Sequence, residues 1–69
     1  MSKLKERREN CGLSQSQLAQ KSDVSVRMIQ KYEQGERDIN GARAITIYQL
    51  AQALGCNIED LLELKNEGA

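Results

Sequence analysis

Gly12-Leu-Ser-Gln-Ser-Gln-Leu-Ala-Gln-Lys-Ser-Asp-Val-Ser-Val-Arg-Met-Ile-Gln-Lys-Tyr-Glu-Gln-Gly35 is the stretch whose reading decides the fold. It holds two short helical patterns between flanking glycines. Ser14 can cap the first, with Gln17 three residues on at capping-box spacing. Leu18, Ala19 and Ser22 then share a face, and Ala19 is small enough for another helix to come close. Asp23 breaks the pattern, since aspartate tolerates the left-handed backbone of a sharp turn. Ser25 can cap the second helix, and Gly35 ends it.

The second helix presents Ile29 and Tyr32 inward, with Val26 or Met28 partly covered. Its other stripe is Arg27, Gln30, Lys31 and Gln34, at i, i+3, i+4, i+7. Every member is a cation or an amide. Arginine and lysine donate to guanine O6 and N7 in the major groove, and glutamine pairs with adenine N6 and N7. By composition alone the stripe serves equally as a solvated helix face. Two helical patterns joined across so tight a turn tip the balance toward DNA.

Outward from this pair, the chain reads as helices throughout. Met1 to Cys11 forms a first helix, with Leu4, Arg8 and Cys11 on its inner stripe and Gly12 as its stop. A buried-side arginine asks for a partner. After Gly35 comes a polar link with one apolar plug, Ile39, and an extra turn that Asn40 can cap at the start of the fourth helix. Ala44 to Leu54 is that helix, with Ile47, Leu50, Ala51 and Leu54 inward and Ala44, Ile45 and Tyr48 widening the apolar face. Gly55 stops it, Asn57 caps a fifth helix with Asp60 in its first turn, and Ile58, Leu61 and Leu62 form its inner face. Leu64 falls outside that face and suits a dimer contact. Residues 65–69 fray, which leaves residues 1–64 as one domain.

The residues Leu13-Ser-Gln-Ser-Gln-Leu-Ala19, Val24-Ser25, Ile29 and Tyr32-Glu-Gln-Gly35 resemble the helix-turn-helix family of lambdoid phage repressors and related bacterial regulators, and the likeness runs from about Leu4 to Leu62. The resemblance implies an all-α, compact five-helix bundle whose second and third helices bind double-stranded DNA. It implies that Arg8 pairs with Glu33, and that Val26, Arg27 and Lys31 occupy base-reading positions, with Gln30 beside them. Gln15 and Gln34 match phosphate-contacting positions. Arg37 and Arg43, with the backbone N–H groups between them, are further phosphate candidates, against a reading of both as solvated loop residues. Val26 stands where the phage proteins carry an amide, so it can meet only a thymine methyl and the phage operators do not predict its target. The link after Gly35 is also longer than the common family version and lacks its proline.

Composition sets the outer bounds. With 69 residues, 39% hydrophobic and 29% charged, the chain suits one small soluble domain. Two cysteines, no histidine and no Cys-x-x-Cys spacing argue against a zinc site, and no cofactor is expected. Cys11 and Cys56 read as reduced, partly buried thiols, a disulfide being the lesser alternative. No nucleophile–base pair and no Gly-rich phosphate loop can be assembled, so no enzyme is expected. Without a signal peptide or a membrane span the expected location is the cytoplasm. The formal net charge is zero, but residues 1–43 hold nine Lys/Arg against six Asp/Glu, a balance of +3, and residues 44–69 one against four, a balance of −3. Affinity for phosphates follows where cations lie. Two copies on a two-fold axis would read half-sites about one helical turn apart. The competing expectation is the same scaffold used as a protein-binding module, such as an antitoxin bound to its toxin, and fold alone does not separate the two.

Overall fold

Three serines start the first three helices. In the computed structural model, which describes residues 2–63, Ser2 caps α1 (Lys3–Asn10), Ser14 caps α2 (Gln15–Ser22) and Ser25 caps α3 (Val26–Gln34). Each hydroxyl accepts a backbone N–H that would otherwise lack a partner. Gln17 completes the capping box at α2, its side chain accepting from the Ser14 N–H at 2.8 Å. Ser2 thus fixes the start of α1 at Lys3, two residues later than the sequence pattern alone suggests.

α2 packs against both α3 and α4, and α1 packs against α3. Five side chains are almost wholly buried: Leu4, Leu18, Ile29, Leu50 and Leu61, one from each helix and one from the chain after them. Burying each contributes about 1.5–3 kcal/mol. Between α2 and α3, Asp23 adopts φ 62° and ψ 25°, and its N–H bonds the Ala19 carbonyl. Ser22 is buried beside it and accepts from the Val24 N–H at 3.3 Å. After α3, Gly35 at φ 80° lets its own N–H reach Tyr32 and the Glu36 N–H reach Lys31, the paired closure of a Schellman end.

The structure departs from expectation in four places, three of them beyond α3. The five-helix bundle is a four-helix one: α4 (Ala44–Leu54) is the last α-helix among the described residues, and a single 3-10 turn, Ile58–Asp60, stands where a fifth helix was expected. Asp60 Oδ2 does accept from the Asn57 N–H at 3.0 Å, the reciprocal bond of a capping box, but the helix it opens is not continued. An α-helix would send the Glu63 N–H to the Glu59 carbonyl; it goes instead to Asn40 Oδ1 at 2.9 Å, while Asn40 Nδ2 donates to the Glu63 carbonyl at 3.1 Å. Nor does Asn40 cap an extra turn of α4. Asp38 caps a separate 3-10 turn, Ile39–Gly41, which plugs the core with Ile39. The apolar face of α4 is narrower than read: Ile47, Leu50, Ala51 and Leu54 are buried, but Ala44 is exposed and Ile45 and Tyr48 are 57% and 49% exposed. Ile45 precedes Ile47 by two residues, roughly 200° around the helix, which turns it away from α2. Finally, Cys11 closes α1 as an exposed residue, whereas Cys56 is half-buried against the core. Leu64 and the segment 65–69 lie outside the described residues.

Candidate nucleic-acid interface

The position of α3 is fixed from behind. Ile29 and Tyr32 anchor it in the core, Ser25 starts it and the Asp23 turn sets its angle to α2. What faces out is then determined by the helical repeat: Arg27, Gln30 and Gln34 are exposed, Val26 is 37% exposed and Lys31 is half-buried. Nine residues give roughly 13 Å of helix, close to the width of a major groove.

A buried ion pair secures the last turn of α3. Arg8 Nε donates to Glu33 Oε2 at 2.8 Å and Nη2 to Oε1 at 3.1 Å, a bidentate fork, with side-chain exposures of 11% and 3%. Arg8 Nη1 also donates to the Leu13 carbonyl at 2.7 Å, so one guanidinium joins α1, the turn into α2 and α3. The hydrogen bonds to Glu33 raise the Arg8 pKa above its ordinary value against the opposing effect of burial, and the Glu33 and Glu9 charges add to the rise. Arg8 therefore stays charged.

Gln15, expected at the surface as a phosphate contact, is only half-exposed and already engaged. Its Nε2 donates to Glu33 Oε1 at 3.0 Å, and its Oε1 accepts from Gln30 Nε2 at 3.4 Å. Arg8, Glu33, Gln15 and Gln30 thus form one hydrogen-bonded chain from the core to the outer face of α3. The sequence hints at it only through the demand that a buried carboxylate makes for several donors. Gln34 and Arg37 line one open cleft beside the end of α3. Arg43 stands apart from that cleft, immediately before α4, whose N-terminus has no side-chain cap. Among the described residues, Arg27, Lys31, Arg37 and Arg43 make no ion pair; the two that occur are Arg8–Glu33 and the exposed Arg7–Asp60 contact at 3.7 Å.

A tight turn between two capped helices, the second anchored inward and basic outward, is the geometry of a DNA-reading helix pair. The family comparison agrees: a family model described as helix-turn-helix matches residues 4–61. The chain belongs to the helix-turn-helix family. Its kinship is with the lambdoid repressor type, and membership places it among DNA-binding transcription regulators. No curated protein and no solved structure matches it. In this helix-turn-helix protein no cluster of three or more His, Cys, Asp or Glu able to hold a metal occurs among the described residues, and no helix there is long and apolar enough to cross a membrane.

Proposed function

We propose that this protein is a cytoplasmic, sequence-specific repressor that lays α3 in the major groove of double-stranded DNA. The observation that carries the reading is the outer face of α3, where cations and amides stand without a carboxylate on a helix held rigidly by the core. Arg27 and Lys31 read bases with Gln30 between them, and Val26 rests on a thymine methyl. Gln15, through its remaining amide hydrogen, and Gln34, Arg37 and Arg43 meet phosphates. At Arg43 the uncapped start of α4 adds backbone donors of the same sign. Two copies occupy half-sites about one helical turn apart. Selection of bound duplexes from a random pool tests this. Enriched palindromes support it, and a pool that stays random overturns it.

A second reading rests on a different surface. α4 contains no charged residue and exposes Ile45 and Tyr48 side by side, an apolar face suited to a protein partner such as a toxin. Ile45→Glu with Tyr48→Glu would abolish capture of such a partner and spare DNA binding. Loss of repression with DNA binding intact would favour this reading.

A further inference from the structure

The end of α1 and the end of α4 come together at a thiol. Cys11 closes α1, and its Sγ donates to the carbonyl of Leu54, the last residue of α4, at 3.6 Å. Gly55, at φ 67°, then folds the chain back, and the Cys56 N–H bonds the Ala51 carbonyl at 3.0 Å. Cys56 is therefore held beside the same helix end that the Cys11 thiol touches. The two sulfurs also act on each other, since Cys11 is one of the groups, with Arg7 and Asp60, that set the electrostatics around Cys56. Between groups near solvent such effects fade over about 10 Å. Both cysteines are free, Cys11 exposed and Cys56 half-buried, and neither lies on the outward stripe of α3.

We propose that Cys11 and Cys56 are a paired oxidation site: a hydroperoxide oxidises exposed Cys11, and Cys56 then closes a disulfide from the end of α1 to the end of α4. In the first step the Cys11 sulfur attacks the peroxide O–O bond, takes one oxygen as a sulfenic acid and releases water. In the second, Cys11 exchanges the Leu54 carbonyl for the Cys56 sulfur. Cys56 gives up its proton and displaces the sulfenic hydroxyl, and the two leave as water. Two thiols are oxidised and one peroxide is reduced to water. The order follows from the fold, because Cys11 is open to solvent while burial pushes the Cys56 thiol up against the lowering effect of Arg7. Since α2, α3 and α4 all lie between the two cysteines, the bond closes the helix-turn-helix into a ring. A ring of that length restricts the unfolded chain and so stabilises the fold. A dithiol reductant reverses it.

The test uses the whole chain, fully reduced, treated with a small excess of hydrogen peroxide and then with an alkylating reagent. Wild type should lose both thiols together, and its mass should fall by about 2 Da, the two hydrogens given up to a disulfide. Peptide mapping should find Cys11 joined to Cys56 within a monomer. The melting midpoint should rise by roughly 10–20 °C and return when dithiothreitol is added. Cys11→Ser should keep its Cys56 thiol under the same dose. Cys56→Ala should stop at a Cys11 sulfenic acid that a dione reagent traps, and the wild-type peptide map decides the pairing even if that variant fails to fold. Survival of both wild-type thiols, oxidation of Cys11 alone, or a Cys11 bond to a second chain each overturns the proposal. A disulfide that lowers the midpoint overturns it too.

Discussion

Arg8 on α1 and Glu33 on α3 meet through two hydrogen bonds, at 2.8 and 3.1 Å, with the carboxylate side chain almost wholly removed from water. Breaking such a pair from one side leaves a buried charge without its counter-charge. Glu33→Ala should therefore cost about 3–5 kcal/mol, a large part of what holds a small domain together. Replacing both residues by apolar side chains should cost much less than the two single losses combined. Chemical denaturation of the three variants measures this, and a Glu33→Ala protein with the wild-type midpoint would show that the pair contributes nothing.

Arg27→Ala and Lys31→Ala should each relax one position on DNA, unless Lys31 meets a phosphate instead of a base. Arg27 sits exposed in the first turn of α3, where its planar fork can meet a guanine edge. Arg27→Ala should cost about 1–3 kcal/mol at the preferred site and relax one position. Lys31 is half-buried, and the long stem of a lysine lets its ammonium stay in water. If that ammonium neutralises a phosphate, Lys31→Ala should reduce the salt slope by about one and weaken all sequences alike. Binding curves for matched and mismatched duplexes at two salt concentrations separate the outcomes.

Asn40 holds Glu63 by two bonds, to its N–H and to its carbonyl, although 23 residues separate them. Both bonds are exposed, so Asn40→Ala should cost only about 1–2 kcal/mol overall. The local effect should be larger: amide exchange at Glu63 should accelerate markedly while exchange in α2 and α4 hardly changes. Uniform acceleration would mean that the 3-10 turn at Ile39 depends on Asn40 as well.

The contrast between Asn40 and Asp23 shows what was legible in the sequence. Asp23, Ser14, Gln17, Ser25 and Gly35 act on neighbours within four residues, so their roles follow from spacing, and α4 begins and ends where its pattern places it. Asn40 and Glu63 act across the fold, and nothing local says that a side-chain amide will take the N–H needed to continue a helix. Ile45 and Tyr48 illustrate a second blind spot. An apolar residue reads as core, yet how wide a face is covered depends on how many neighbours pack there. The outer stripe of α3 was legible because helical periodicity alone puts it there. The link from Gln15 to Gln30 was not, since it depends on the angle between two helices.

Of the two thiols expected to be partly buried, Cys56 is and Cys11 is not. Burial raises the Cys56 pKa above its ordinary value; Arg7 lowers it, and Asp60 and Cys11 raise it further. The fold thus favours the protonated thiol. Its stabilising contribution is complete below the ordinary thiol range and is lost as pH rises through the raised value. An alkylating reagent at neutral pH should label exposed Cys11 well before half-buried Cys56. Cys56→Ser should destabilise more than Cys11→Ser, because Cys56 packs against the core. Equal labelling rates would contradict the assignment.

Tyr32 and Tyr48 give the molecule two built-in optical reporters in opposite surroundings. The sequence has no tryptophan and no phenylalanine, and its two tyrosines are 7% and 49% exposed. Near-ultraviolet dichroism of the native state should come chiefly from Tyr32, whose ring is fixed behind the outer face of α3. A soluble quencher should reach Tyr48 first. Emission can therefore be divided without labelling: the quencher-resistant fraction follows the helix proposed to enter the groove, and the accessible fraction follows whatever settles on α4.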